Sequence, residues 1–159
     1  MVAFSGVGHV SMSVTDLDRS ERFYCEVFDL MQLADFGEVR VLLHRQTGFM
    51  IAISRHEQGT GGPFTELNTG LDHLGFVAED RDELVAWEQK LASLGVVYTP
   101  IRDMEFGSHL NFRDPDNIAL ELSCLNEVMK GWLVEFRERE VSPEEKEARL
   151  TEYLTSLAL

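Results

Sequence analysis

The feature that most constrains this chain is an internal repeat. Gly6-Val7-Gly8-His9-Val10-Ser11-Met12-Ser13-Val14-Thr15-Asp16 aligns with Gly70-Leu71-Asp72-His73-Leu74-Gly75-Phe76-Val77-Ala78-Glu79-Asp80 at a shift of 64. The glycine, the histidine and the final aspartate coincide. Apolar Val10, Met12 and Val14 fall on Leu74, Phe76 and Ala78, and further on Phe23 falls on Trp87 and Leu30 on Leu94. A second match, Ile51-Ala52-Ile53-Ser54 over Leu120-Glu121-Leu122-Ser123, has a shift of 69 and puts five extra residues in loops of the second half. Two anchored matches in the same order imply a duplicated module of about 55 residues.

Each copy reads as strand, helix, then three strands. Val7 to Val14 alternates with the period of a half-buried strand. Thr15 is placed to cap the helix that follows, with Asp18 as its capping-box partner. Leu17, Tyr24, Val27, Phe28 and Met31 recur at helical spacing, as do Leu84, Trp87, Leu91 and Leu94, with Gly95 set to end the second helix. The remaining strands are expected at 31–36, 38–45 and 48–55, then at 96–101, 107–113 and 117–123. Asp114-Pro115-Asp116-Asn117 is the turn before the last of these. The fold class is therefore α+β. Two βαβββ modules, residues 1–58 and 71–125, are joined by a glycine-rich linker at 59–70 and followed by a helical extension at 126–159. Packed side by side they would form a cup-shaped, mixed eight-stranded sheet with helices outside.

Alternation also says which residues share a face. If Val10, Met12 and Val14 face the helix, then His9, Ser11 and Ser13 face away. By the same reasoning His73, Glu121 and Ser123 face away in the second module. Two imidazoles and a carboxylate gathered on that face suit a divalent cation, since an unpaired buried carboxylate is costly and a cation relieves the cost. Three protein ligands leave positions open for a substrate. His109 and Asn111 alternate onto the same face. His109 is a candidate acid, base or hydrogen-bond donor, and a strand histidine tied to the backbone is the plainer alternative. Arg40 is read onto that face in the first module, as an anion holder or a surface ion pair. His44 and His56 fall near strand ends, where solvent is the expected surrounding.

Composition excludes some functions. With 14 basic and 28 acidic residues the net charge is −14. Such a chain repels phosphate backbones and anionic lipid, so neither nucleic acid nor membrane is an expected partner. No signal peptide or transmembrane run is read, and Cys25 and Cys124 form no CxxC pair, so a reduced, cytoplasmic protein is expected.

Gly8-His9-Val10, Thr15-Asp16-Leu17, Arg22-Phe23-Tyr24, Leu71-Asp72-His73-Leu74-Gly75-Phe76 and Phe112-Arg113-Asp114-Pro115-Asp116-Asn117 leading to Leu120-Glu121-Leu122 together resemble the vicinal oxygen chelate superfamily. That group includes glyoxalase I, extradiol dioxygenases, fosfomycin-modifying enzymes and bleomycin-binding proteins. The resemblance covers about residues 5–125. It implies metal ligands at His9, His73 and Glu121, with Ala52 at the fourth position. Ala52 can neither bind metal nor carry a proton, so the set is closer to that of the dioxygenases and fosfomycin-modifying enzymes than to the glyoxalases. The implied cofactor is one divalent ion, Fe, Mn, Ni, Co or Zn, binding adjacent oxygens of a small-molecule substrate. Glu121 and His109 are the catalytic candidates, and Ser11, Arg40, Ala52 and Asn111 the pocket candidates. A homodimer is expected. The rival function is a metal-free protein that sequesters a drug-like ligand.

Beyond this core, Val128, Met129, Trp132, Leu133 and Phe136 form one helical stripe, and Leu150, Tyr153, Leu154 and Leu157 another. Ser142-Pro143-Glu144-Glu145 begins the second helix. These helices are expected to pack on the core or across a dimer.

Overall fold

The computed structural model describes residues 2–157. The first module comprises β1 (Val10–Ser13), α1 (Leu17–Phe28), β2 (Met31–Asp35), β3 (Val39–Leu43) and β4 (Met50–Ser54). The second comprises β5 (Leu74–Val77), α2 (Arg81–Ser93), β6 (Arg102–Met104), β7 (Gly107–Arg113) and β8 (Ala119–Leu125). Helices α3 (Glu127–Glu138) and α4 (Pro143–Leu157) follow. The shift of 64 carries β1 onto β5, and the shift of 69 carries the start of β4 onto the start of β8. The eight strands form two four-stranded sheets of matching order, β1-β4-β3-β2 and β5-β8-β7-β6, with no hydrogen-bonded pairing between them among the described residues.

Local chemistry accounts for most boundaries. The cap of α1 is Asp16, whose carboxylate accepts the Arg19 N–H at 3.0 Å; its repeat partner Asp80 does the same for Glu83 at 2.9 Å. Each such cap is worth about 1 kcal/mol. Thr15 is not the cap, because its N–H and hydroxyl are taken by Asp116 of the other module. Gly95 ends α2 with φ +69°. Its N–H meets Ala92 O while Val96 N–H reaches Leu91 O, the paired bonds of a Schellman end.

The sixth strand lies later than the alternation suggests. Within 96–101 only Tyr98 makes an isolated bridge, to Phe112, and β6 begins at Arg102. Pro100 has no N–H for a ladder, and the Thr99 hydroxyl accepts the Asn111 N–H instead. Eight residues separate α2 from β6 where two separate α1 from β2, so the extra residues of the second module collect here. The hairpin from β6 returns at Gly107, where φ is +150° and any Cβ would collide with the Cys124 carbonyl oxygen.

One core joins the two modules. Leu42, Ile51 and Ile53 of the first and Leu84, Leu91, Leu110, Leu120 and Leu122 of the second are fully buried in a single cluster. Burying each such side chain contributes roughly 1.5–3 kcal/mol. Phe28 at the end of α1 lies 4.3 Å from Phe76 and 6.1 Å from Phe112, centroid to centroid. The modules thus meet through the helix-covered sides of their sheets. Their other faces, bearing Ser11 and Ser13 in one and Gly75 and Val77 in the other, are exposed.

Helices α3 and α4 touch each other through side chains. Trp132 meets Tyr153 edge-on at 5.7 Å, and Arg149 bridges Glu135 and Glu145. The pair is moored to the β6–β7 turn, where Asn126 Nδ2 donates to Glu105 O and to the Tyr153 hydroxyl. Neither helix has a buried residue among those described, and Val128, Leu133 and Phe136 of one stripe and Leu150, Leu154 and Leu157 of the other are exposed. No helix among the described residues is long and apolar enough to cross a membrane.

Candidate metal centre

Glu121 sits in the middle of β8 between Leu120 and Leu122, each about 1% exposed on the core side. Its strand neighbours are Gly75 of β5 and Asn111 of β7, and His109 lies opposite Ser123 one step along. Residues paired in register share a face. Gly75, His109, Asn111, Glu121 and Ser123 therefore line the open face of the second sheet. Arg102 joins them, because β6 pairs it with His109.

His73 leads into β5 from the same side. Its Nε2 stands 3.9 Å from Glu121 Oε1, and its Nδ1 is 2.6 Å from Asp72 Oδ1. A proton on Nδ1 serves Asp72 and leaves the Nε2 lone pair directed towards Glu121. A carboxylate behind the ring is the usual way a metal-binding imidazole is oriented and made more basic. Gly75 keeps the space between them clear: a Cβ there would touch Glu121 Oε1 at 3.8 Å and the His73 ring at 4.0 Å, and a longer side chain would lie over the carboxylate. Metal–ligand bonds of about 2.0–2.2 Å put neighbouring ligand atoms roughly 3 Å apart, so His73 and Glu121 need only a small movement to share an ion. On the other side of Glu121, His109 Nδ1 lies 3.2 Å from Oε2. The donor chemistry on this face fits a divalent cation.

Within one chain the set is incomplete. His9 is exposed, just before β1 in the other sheet, and makes no ion pair with Glu121 among the described residues. No group of three or more His, Cys, Asp or Glu side chains among the described residues is arranged to hold a metal. The physical reason is the joint: the modules meet through their helix-covered sides, so the face of His9 and the face of Glu121 do not close on each other.

Two pocket candidates of the first module keep their expected face. Ser11 pairs with Ala52 in register, as Gly75 does with Glu121, so Ala52 occupies the position equivalent to Glu121. Ser11 and Ser13 line a cavity of about 280 Å³ bounded by Phe64 and Leu71. Arg40 corrects the sequence reading. It pairs with Ile53, on the helix side of the sheet, and there its guanidinium binds Glu21 at 2.6 Å and Asp18 at 2.7 Å. One residue of register separates the two faces, and β3 begins at Val39. Three further residues shape the Glu121 face without having been site candidates in the sequence: Asp72, Gly75 and Arg102. The first two adjoin the histidine motif, and only the position of β6 shows the third.

Charged groups nearby fix the frame. Arg81 at the start of α2 pairs with Asp103 of β6 at 2.7 Å, and with the Ser108 hydroxyl holds that carboxyl down at about 2. In the joint, the buried Asp114 accepts N–H bonds from Asp116 and Ile118 and the Tyr24 hydroxyl at 3.0 Å. Burial raises its pKa above the ordinary carboxylate value despite those bonds, and burial beside Asp114 pushes the Tyr24 hydroxyl well up.

The comparisons agree with this architecture. The family model of the glyoxalase/bleomycin resistance protein/dioxygenase superfamily matches residues 6–122. A glyoxylase/bleomycin resistance protein/dioxygenase domain from Frankia sp. EAN1pec is 39% identical, covering 79% of this chain and 95% of that one, with a TM-score of 0.71. The fosfomycin resistance protein FosX from Listeria monocytogenes shares the fold at 21% identity and a TM-score of 0.63, covering 80% of this chain and 99% of that one. Lactoylglutathione lyase from Agrobacterium tumefaciens does so at 19% and 0.61, covering 76% and 93%. No protein of curated function matches the sequence.

Proposed function

Because the chain belongs to the glyoxalase/bleomycin resistance protein/dioxygenase superfamily, we propose that it is a divalent-metal-dependent enzyme acting on a small molecule with two adjacent oxygens. The metal site is shared between two copies of the chain. His73 and Glu121 come from one copy and the third ligand is the partner subunit's His9. The observation that carries this reading is the open-face cluster of Asp72, His73, Glu121 and His109, half-built and facing outward. A second copy placing its first module over that face would supply the missing imidazole and close the cup. The Listeria FosX has been seen with Mn(II), in keeping with a divalent ion on this fold; Fe, Ni, Co and Zn suit the same N,O ligand set.

When bound, the ion supplies positive charge for oxygens that become anionic along the reaction. The chain's residues do the rest. His109 has its Nδ1 against Glu121, leaving Nε2 to hold or pass a proton. Asn111 offers an amide to a substrate oxygen, and Arg102 offers the cation that Arg40 does not. In the partner's half of the cup, small side chains at Ser11 and Ala52 leave room for substrate.

The rival reading, a metal-free protein that sequesters a small molecule, is favoured by the separation of His9 from the other donors within one chain. Elemental analysis of protein purified without chelator separates the two. One divalent ion per chain, lost in His9→Ala and in Glu121→Ala, supports the enzyme; absence of metal from the wild-type protein supports the sequestering reading. Turnover assays on catechols and on glutathione adducts then select the reaction class.

A further inference from the structure

The two joints between the modules follow one plan and are finished differently. In each, the turn before a module's last strand packs against the other module's first strand and helix start. The turn at 114–118 is sealed: Asp116 takes the Thr15 N–H and hydroxyl and, at 2.8 Å, the Arg19 guanidinium. At the other joint the repeat places Glu79 for Thr15, Glu83 for Arg19 and Thr47 for Asp116, and the Thr47 hydroxyl bonds only within its own turn, to His44 Nδ1 and the Phe49 N–H. Glu83 turns instead to the Glu79 N–H and, at 3.2 Å, the Trp87 indole N–H. The joint is left open as a cavity of about 510 Å³, within the range of small-ligand sites.

Its floor is aromatic. Phe28 stands 5.7 Å from Trp87 and 4.3 Å from Phe76, which Phe49 meets edge-on at 5.8 Å. All four rings are only part-buried. The Glu83 carboxylate lies at the rim with lone pairs to spare after its two bonds. Among the described lining residues there is no lysine or arginine; Lys90, three residues beyond Trp87 on α2, holds its ammonium 5.1 Å from the Trp87 ring centroid without lining the cavity, and His44 already shares its Nδ1 with the Thr47 hydroxyl.

We infer that this open joint is a binding site for a small organic cation, a protonated or quaternary amine on an aromatic or short aliphatic body. Ring faces attract a cation through their quadrupole, and a desolvated cation beside a carboxylate gains further. An anion would meet Glu83 and a chain of net charge −14. A neutral molecule would gain apolar burial but leave the carboxylate without a counter-charge. The site is separate from the open face that carries Glu121.

The test uses the full chain with Trp132→Phe, so that Trp87 is the only indole reporter. Titration with 2-phenylethylammonium is expected to change its fluorescence saturably, with affinity ~tenfold above that of neutral 2-phenylethanol. Glu83→Gln keeps an acceptor for the indole and should abolish that preference. Phe49→Ala, on the other wall, should weaken the cation by several fold, and Glu121→Ala should leave binding unchanged. Equal affinity for cation and alcohol, no saturable change, or loss of binding in Glu121→Ala would each overturn the assignment.

Discussion

The two modules share an order of elements, a strand register and an aspartate cap, yet their open faces differ. The second presents His73, His109, Asn111 and Glu121 around one carboxylate. The first presents Ser11, Ser13 and Ala52, with His9 at its margin. The apolar sides of the two sheets are alike because both copies feed one core. The outward side answers to no such demand. In the proposed site the second module holds most of the metal-binding chemistry, and the first contributes one imidazole and empty space.

The largest effect is expected where the faces differ most. Glu121→Ala should weaken metal binding by roughly a thousandfold or more, since few protein ligands share a binding free energy of order 10 kcal/mol. Ala52→Ser, at the equivalent place in the first module, should leave metal content unchanged. Metal titration of both variants makes the comparison, and equal losses would break it. The joints come next. Asp116→Ala strands the Thr15 donors and the Arg19 charge and should cost about 3 kcal/mol in urea unfolding. Asp72→Asn should then weaken the metal by about 10–100-fold through a less well oriented His73.

A smaller effect is a matter of pH. Asp114 is raised above its ordinary value in the folded chain. Its contribution to stability is therefore complete below the unfolded value of 3.8, and it is lost as pH rises through the higher folded value. The stability of the wild type relative to Asp114→Asn should fall as pH rises through the acid range, followed by urea unfolding at a series of pH values. Smallest of all, Gln46→Ala in the lining of the open joint should stay within about 0.5 kcal/mol of wild type. A loss there as large as at Asp116 would mean the two joints are equally sealed.

Much of the fold was legible because the repeat is written in apolar residues. The pairs Met12 with Phe76 and Ile51 with Leu120 are core-facing in both copies, and the shifts of 64 and 69 carry strands onto strands. Glu121 was assigned its face by Leu120 and Leu122, whose burial leaves no choice. Arg40 was misplaced because it lies among Val39, Val41, Leu42 and Leu43, a run with no alternation to set the register; ion pairs from Glu21 and Asp18 let a charged side chain occupy the helix side. Thr15 reads as a cap on local grounds, but its partner is Asp116, a hundred residues away in a contact no local pattern records. Sequence periodicity shows which way a side chain points from its sheet. It does not show which faces of two modules meet, and so the separation of His9 from Glu121 appears only in three dimensions.

The shared site is tested most directly by mixing two defective chains. His9→Ala and Glu121→Ala carrying different tags are co-expressed, and the hybrid dimer is isolated through both tags for elemental analysis. A site built across two subunits predicts one divalent ion per hybrid dimer and none in either parental homodimer. A hybrid as empty as its parents, from a wild type that holds metal, would contradict it.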